Sequence, residues 1–157
     1  MLRRMSSLSP DQVRAQIDEF WQIMCGKSKG SLEELYSSAA LLLTGKARKP
    51  ETTTTALARR TRQIAAPGAH AEVELGLVEI ELPAPSVAIA SYTYRFRYTR
   101  SGEGSLQQRQ TMFGRATQIF HLDESGALRI VHEHLSAATN PEGPKTPNGY
   151  LRGSRHP

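Results

Sequence analysis

Glu133 is the side chain in this 157-residue chain best suited to acid–base chemistry. It lies in the segment 127–137, whose alternating apolar and polar residues predict a β-strand. Alternation puts Glu133 on one face of that strand and His132 and His134 on the other. Burial among apolar residues would raise the pKa of Glu133 and suit it to act as a general acid or base. In the alternative interpretation, Glu133 is ionised, bonds to Gln118 or a tyrosine hydroxyl, and is purely structural.

The face that carries Glu133 is the candidate ligand-binding surface. On the strand predicted for residues 87–99, one face is largely aromatic, whereas the other carries serine, threonine and arginine. Small-molecule sites are usually apolar with a few convergent polar groups, and Tyr92 or Tyr94 could donate a hydrogen bond to a developing oxyanion. The predicted face comprises Tyr92, Tyr94 and Phe96, then Ala116, Gln118 and Phe120, then Val131, Glu133 and Leu135.

The histidines raise the question of a metal site. His132 and His134 share a strand face, and His121 could supply a third ligand if it neighbours them across a hairpin. No acidic residue follows at a suitable spacing, since the next one is Glu142. We therefore predict no metal and no cofactor, and we place these histidines at a sheet–sheet contact or near solvent.

Composition narrows the class of protein. With 38% apolar residues the chain can build one core, and its net charge of +5 comes from scattered basic residues without a nucleic-acid-binding motif. The single Cys25 excludes an internal disulfide. No apolar run approaches the roughly 18 residues of a membrane span, and residues 1–8 lack a secretory apolar segment. We expect a cytoplasmic protein with neither a nucleic-acid nor a membrane partner.

Helices are predicted in the first half of the chain. Ser9, Pro10 and Gln12 form a strong helix start, and apolar residues then recur at helical spacing as far as Met24. A capping box of Ser31 with Glu34 predicts a short helix through Leu32, Leu35 and Tyr36. Residues 39–44 predict a short buried strand, and 46–54 a loop. A third helix begins near Thr55 and ends at Pro67-Gly68, with Arg59, Arg60 and Arg62 around its apolar residues; its late arginines complement the helix dipole.

The second half predicts four antiparallel strands. Residues 70–82 alternate with a change of phase beside Gly76, which indicates a bulge or a break. Residues 87–99, 107–121 and 127–137 supply the other strands, the last two joined by an acidic turn at 123–126. Because the helices come first and the strands last, we predict an α+β fold with helices on one face of a curved sheet.

The C-terminal hairpin resembles that of the nuclear transport factor 2-like superfamily, which includes the SnoaL-like domains, and in particular the association domain of calcium/calmodulin-dependent protein kinase II. The matching segments are T-Q-I-F-H at 117–121, the turn at 123–126, and I-V-H-E-H-L-S at 130–136. The order of elements over residues 9–138 also fits. Where the association domain carries pocket arginines, this sequence has Tyr94, Gln118 and Leu135, which puts a preference for carboxylate ligands in doubt.

The resemblance implies a cone-shaped antiparallel sheet of four to six strands, wrapped around the long N-terminal helix and two shorter helices. In such a cone, Trp21 on the long helix would roof the pocket. Members commonly pair through their sheets, so we expect a homodimer. The domain would span residues 9–138, between a flexible arm at 1–8 and a disordered tail at 139–157.

Two functions compete. The favoured one is a dimeric binding or association module with a pocket for a small, largely apolar ligand. The other is a small isomerase, cyclase or dehydratase that uses Glu133 with a tyrosine. No constellation in the sequence fixes an acid and a base together, which favours the first and leaves open whether the chain is an enzyme.

Overall fold

The predicted α+β architecture is confirmed by the computed structural model, which describes residues 7–45, 48–66, 69–101 and 107–137. A curved, unclosed sheet packs against three helices, and one core lies between them. Leu8, which the prediction placed in a flexible arm, is buried in this core, and its N–H donates to the carbonyl of Pro85. The rest of that arm and the predicted tail at 139–157 lie outside the described residues.

The first helix, α1 (Pro10–Met24), begins as predicted. The Ser9 side chain accepts from the Gln12 N–H at 3.3 Å, and the Gln12 side chain accepts from the Ser9 N–H at 2.8 Å. This reciprocal pairing satisfies two of the N–H groups that a helix leaves without internal partners. The helix buries an apolar face against the sheet, formed by Val13, Ile17, Phe20, Trp21 and Ile23.

The second helix is shorter than predicted. It is α2 (Leu32–Leu35), and the Ser31 side chain accepts from the Glu33 N–H, so the predicted capping box with Glu34 does not form. Tyr36 has extended backbone angles and begins the strand β1 (Tyr36–Thr44) instead of ending the helix. β1 is therefore longer than the strand predicted for residues 39–44. The side chain of Tyr36, at its start, is buried.

The third helix, α3 (Thr53–Ile64), begins two residues before the predicted position. The segment before it contains a two-residue strand, β2 (Glu51–Thr52), which pairs with Leu41 and Leu42 of β1. Two residues show no periodicity, so this strand has no sequence signal. None of the described helices is both long and apolar enough to cross a membrane.

Five further strands follow, and they are β3 (His70–Leu75), β4 (Glu79–Ala84), β5 (Val87–Ser101), β6 (Gln107–Leu122) and β7 (Leu128–Ala137). The order is β2-β1-β7-β6-β5-β3, and β4 also pairs with β5. The sheet has seven strands where four to six were predicted. It is mixed rather than wholly antiparallel, because β1 runs parallel to β7.

The break beside Gly76 is confirmed. β3 pairs with the C-terminal half of β5 and β4 with its N-terminal half, so the two strands share one edge of β5. Between them, the Gly76 N–H donates to the carbonyl of Thr93 at 2.9 Å. A Cβ at Gly76 would lie 2.3 Å from the Thr93 hydroxyl, so any other residue here would force that hydroxyl or the chain to shift.

Candidate functional site

The three central strands bring the predicted polar residues together inside the curve of the sheet. Gln118 of β6 lies directly opposite Glu133 of β7, and its side-chain nitrogen donates to Glu133 Oε2 at 2.7 Å. The Tyr92 hydroxyl donates to Gln118 Oε1 at 2.9 Å and accepts from Trp21 Nε1 at 3.1 Å. Strand alternation alone accounts for the position of Gln118 and Glu133, since both point to the concave face.

Two residues that the sequence reading missed complete this cluster. Arg60 of α3 is 4% exposed, and its Nη2 donates to Glu133 Oε1 at 2.5 Å. The Tyr36 hydroxyl donates to Glu133 Oε2 at 2.6 Å and accepts from Arg60 Nη1 at 2.7 Å. We call Trp21, Tyr36, Arg60, Tyr92, Gln118 and Glu133 the inner network. Among the described residues, no buried side-chain nitrogen or oxygen lacks a hydrogen-bond partner.

The electrostatics of the inner network favour the ion pair. Burial alone would lower the pKa of Arg60, but the Glu133 carboxylate and the Tyr36 oxygen outweigh it, so the pKa of Arg60 is raised. Burial, reinforced by the Glu133 charge, raises the pKa of Tyr36, and burial raises the pKa of Tyr92. Both phenols therefore act as hydrogen-bond donors at any ordinary pH.

The sequence did contain a signal for Arg60. Leu57, Arg60 and Ile64 are spaced by three and four residues, so they share one face of α3. The prediction instead placed Arg60, with Arg59 and Arg62, around the apolar residues of this helix, and arginine is rarely buried without a partner. Its partner Glu133 lies 73 residues further along the chain, a relationship that no local pattern reveals.

A cavity of about 420 Å³ lies next to the inner network. Its walls are mainly apolar, and the exposed side chains of Lys27 and His70 line it where it meets solvent. Tyr92 belongs to the inner network, whereas Tyr94 and Phe96, which follow on the same face of β5, line the cavity. The apolar walls comprise Trp21, Met24, Ile64, Tyr94, Phe96, Met112 and Leu135.

The cavity therefore divides the predicted ligand-binding residues. Trp21, Tyr94, Phe96 and Leu135 line it. The other three predicted residues do not line the cavity. Phe120 and Gln118 are fully buried, and Tyr92 bonds to Gln118. Glu133 is 0% exposed and also lies outside the lining. Its predicted catalytic role stays a prediction, and that role would require the ion pair with Arg60 to open.

Val131 is the one residue of the predicted face that the strand register displaces. β6 and β7 pair regularly as far as Ile119 opposite His132, and Phe120 then lies opposite Ile130. The extra residue in β7 is Val131, and this bulge turns Ile130 into the core instead. Val131 is only half-buried.

The three histidines do not form a cluster. His132 pairs with Ile119 and His134 with Thr117, whereas His121 lies further along the hairpin opposite Arg129. The part of the chain that the structure describes contains no group of three or more His, Cys, Asp or Glu side chains able to hold a metal ion. His134 is exposed and His132 half-buried on the convex face of the sheet.

Solved structures share this architecture across most of the chain. A nuclear transport factor 2-like superfamily protein from Salmonella enterica serovar Typhimurium superposes with a TM-score of 0.64 at 19% identity, over 85% of this chain and 94% of that one. This chain has the nuclear transport factor 2-like fold. No protein-family model and no curated protein sequence matches it.

Two other solved structures that superpose on this chain differ from each other in their descriptions. A Xanthomonas campestris protein described as a calcium/calmodulin-dependent protein kinase II association domain has a TM-score of 0.63 at 13% identity, and the match covers 89% of this chain and 99% of that one. The β subunit of benzoate 1,2-dioxygenase from Burkholderia mallei has a TM-score of 0.67 at 14% identity, and the match covers 85% and 93%. At these identities the likeness establishes the fold alone.

Proposed function

We propose that this chain is a dimeric module that binds a small, largely apolar ligand at the open end of its curved sheet. The observation that carries the proposal is the cavity of about 420 Å³, because its size and apolar walls are those of small-molecule sites. The aromatic rings of Trp21, Tyr94 and Phe96 supply much of the wall. A ligand bound there would gain affinity from burial of its apolar surface.

The inner network supports binding over catalysis at Glu133. The carboxylate is sealed from solvent and engaged by Arg60, Tyr36 and Gln118, so it has no free oxygen to offer a ligand in the cavity. A general base needs to reach the proton that it removes, directly or through one water molecule. The isomerase, cyclase or dehydratase alternative therefore has less support.

The convex face of the sheet supports the homodimer. On this face Leu41 of β1, His132 of β7 and Ile119 of β6 form one cross-strand row. Leu43 and His134 belong to the next row. Leu41 is 50% exposed on this face. One structural neighbour is described as an association domain. A second copy of this chain would cover these rows.

Occlusion of the cavity tests the ligand site. Ala71 lines the cavity, so Ala71→Phe would place a ring inside it. The measurement is binding of the dye 1-anilinonaphthalene-8-sulfonate, followed by its fluorescence, with thermal unfolding as a check on the fold. Gln22→Phe adds the same ring to the exposed side of α1 and serves as the control. We expect Ala71→Phe to abolish binding and Gln22→Phe to leave it unchanged; equal binding by both variants would contradict the ligand site.

Native mass spectrometry tests the dimer. The unmodified chain should give a dimer mass, and Leu41→Glu should give a monomer, because a buried carboxylate without a partner is costly at an interface. Leu77→Glu is the matched control, since Leu77 is 79% exposed in the connection between β3 and β4. A monomer mass for the unmodified chain, or a dimer for Leu41→Glu, would contradict the proposed interface.

A further inference from the structure

We infer that the ligand of the cavity is a flat ring system with an uncharged hydrogen-bond acceptor, such as a ketone, and that the Tyr94 hydroxyl binds this acceptor. The inference rests on the proposed function and adds to it the chemical class of the ligand and the side chain that selects it. The recognition would take place at the end of the cavity nearest the inner network, because Tyr94 is the next residue after Tyr92 on the same face of β5.

The Tyr94 hydroxyl has no partner among the described residues. Three other tyrosines nearby have theirs, since the hydroxyl of Tyr36 bonds to Glu133, that of Tyr92 to Gln118 and that of Tyr98, which also lines the cavity, to Gln110. Tyr94 is only 5% exposed, and no hydrogen bond joins its hydroxyl to any described residue. Because every sealed polar side-chain atom in the described part has a partner, the Tyr94 oxygen must be open to the cavity that it lines. Such a donor is satisfied by a ligand acceptor or by water.

The position of Tyr94 is fixed by its neighbour on β6. Tyr94 lies opposite Gly114, and a Cβ on Gly114 would lie 2.0 Å from the Tyr94 ring carbon that carries the hydroxyl. The end of the phenol therefore lies directly over the Gly114 backbone. A donor held in this way loses little conformational freedom when it binds an acceptor.

The charges around Tyr94 favour a neutral acceptor over a carboxylate. Burial raises the pKa of Tyr94, and the Glu133 charge raises it further, against a smaller opposite effect of Arg60. The hydroxyl therefore stays protonated as a donor. Arg60 is already bonded to Glu133 and Tyr36, so a carboxylate buried beside Tyr94 would not gain this cation as a partner and would be costly. The cationic Lys27 lines the cavity where it meets solvent rather than at this end.

The walls of the cavity favour a flat ligand. The Trp21 ring lies 4.8 Å from that of Tyr94 and 5.8 Å from that of Phe96, each measured between centroids, and both pairs are tilted by 43°. Aromatic surfaces in offset arrangements pack well against further rings. Met24 and Met112 add flexible, polarisable side chains that adapt to the edge of a ring system.

A matched pair of probes tests the inference. 2-Acetylnaphthalene carries a ketone, and 2-ethylnaphthalene has the same rings and nearly the same size without an acceptor. Displacement of 1-anilinonaphthalene-8-sulfonate gives their affinities for the unmodified chain, Tyr94→Phe and Tyr92→Phe. We expect the ketone to bind about fivefold more tightly than the hydrocarbon, which corresponds to one net hydrogen bond. Tyr94→Phe should remove this preference and leave the hydrocarbon affinity unchanged, whereas Tyr92→Phe should lower stability and keep the preference.

The outcomes separate the inference from the proposed function. If neither probe displaces the dye, the ligand site itself is wrong. If both displace it equally, or if the preference for the ketone survives in Tyr94→Phe, the inference is overturned and the ligand site stands. If 2-naphthoate binds more tightly than the ketone and loses this advantage in Tyr94→Phe, the acceptor is anionic, which also overturns the inference.

Discussion

Arg60 of α3 and Glu133 of β7 form an ion pair with 2.5 Å between Nη2 and Oε1, although both side chains are almost completely buried. Desolvation of two charges is compensated only where their geometry is good and their remaining donors and acceptors are satisfied. Tyr36 and Gln118 meet this condition at Glu133, and Tyr36 also bonds to Arg60. The pair joins α3 to the sheet and fills the inner end of its curve with side chains.

Loss of one partner of this pair should be costly. Arg60→Met leaves the Glu133 charge buried and uncompensated, so we expect the free energy of unfolding to fall by about 3–5 kcal/mol. Urea denaturation measures the loss, and Arg62→Met, an exposed residue of the same helix, should change it by less than about 0.5 kcal/mol.

The double variant Arg60→Met/Glu133→Gln completes the test. Because the two charges compensate each other, removal of both should cost much less than the sum of the single losses. Additive losses would show that the two side chains contribute independently.

Gly114 and Tyr94 should be coupled. Gly114→Ala introduces a Cβ into the space of the Tyr94 ring, and the resulting strain should lower the free energy of unfolding by about 1–3 kcal/mol. In a Tyr94→Ala background the ring is absent, so the same substitution should cost little. Thermal or urea unfolding of the four variants measures this coupling, and an equal cost of Gly114→Ala in both backgrounds would exclude the contact.

The turn between β6 and β7 should contribute a pH-dependent stability. Hydrogen bonds from the Ser125 hydroxyl and the Ala127 N–H lower the pKa of Asp123 below its ordinary value of 3.8. A lowered pKa means that the carboxylate stabilises the fold above that value and that this contribution is lost as the pH falls through the lowered pKa. Asp123→Ala should therefore be less stable than the unmodified chain at pH 7, with a difference that vanishes in strong acid.

Ser125→Ala provides the matched control for this turn. It removes the largest cause of the lowered pKa, so the acid transition of the Asp123 contribution should move toward the ordinary value. Unfolding free energies measured between pH 2 and pH 7, for Asp123→Ala and its parent in both the unmodified and the Ser125→Ala background, would show the shift. The same acid transition in both backgrounds would contradict it.

Cys25 should report on the cavity that it lines. It is the single cysteine of the chain, so any alkylation of a thiol occurs there. Burial raises the pKa of its thiol above 9.0, while Lys27 opposes this rise. Alkylation by iodoacetamide should therefore be slow at pH 7.5 and accelerate above pH 9, since the thiolate is the nucleophile. Lys27→Gln should slow it further, whereas Lys29→Gln should not.

Occupancy of the cavity should protect the same thiol. Saturation with 2-ethylnaphthalene should slow alkylation at a fixed pH, and mass spectrometry of the intact chain measures the rate. Equal rates with and without the probe would mean that the probe binds elsewhere.

Strand alternation explains how much of the site the sequence could predict. It placed Gln118 and Glu133 on one face, and the register confirms that they lie opposite each other. It misplaced Val131, because a bulge shifts the register and has no signature in the local pattern. The α+β fold was predictable because helical and strand periods are local properties of the sequence.

The ion pair and the cavity could not be predicted in the same way. Arg60 and Tyr36 reach Glu133 from elements that are distant in sequence. Local context placed Arg60 among the arginines around the apolar residues of the third helix, and Tyr36 in the short second helix. The position of the cavity depends on which side chains fill the inner end of the curve. It is a property of packing in three dimensions rather than of any segment.

Trp21 offers the most direct test of the central claim, that the open end of the curved sheet binds an apolar ligand beside a filled inner end. It is the single tryptophan of the chain, it lines the cavity, and it bonds to Tyr92 of the inner network. Titration with 1-anilinonaphthalene-8-sulfonate, followed by the quenching of Trp21 emission, should give a saturable change with one probe per chain that Ala71→Phe abolishes. No saturable change, or the same change in Ala71→Phe, would contradict the account.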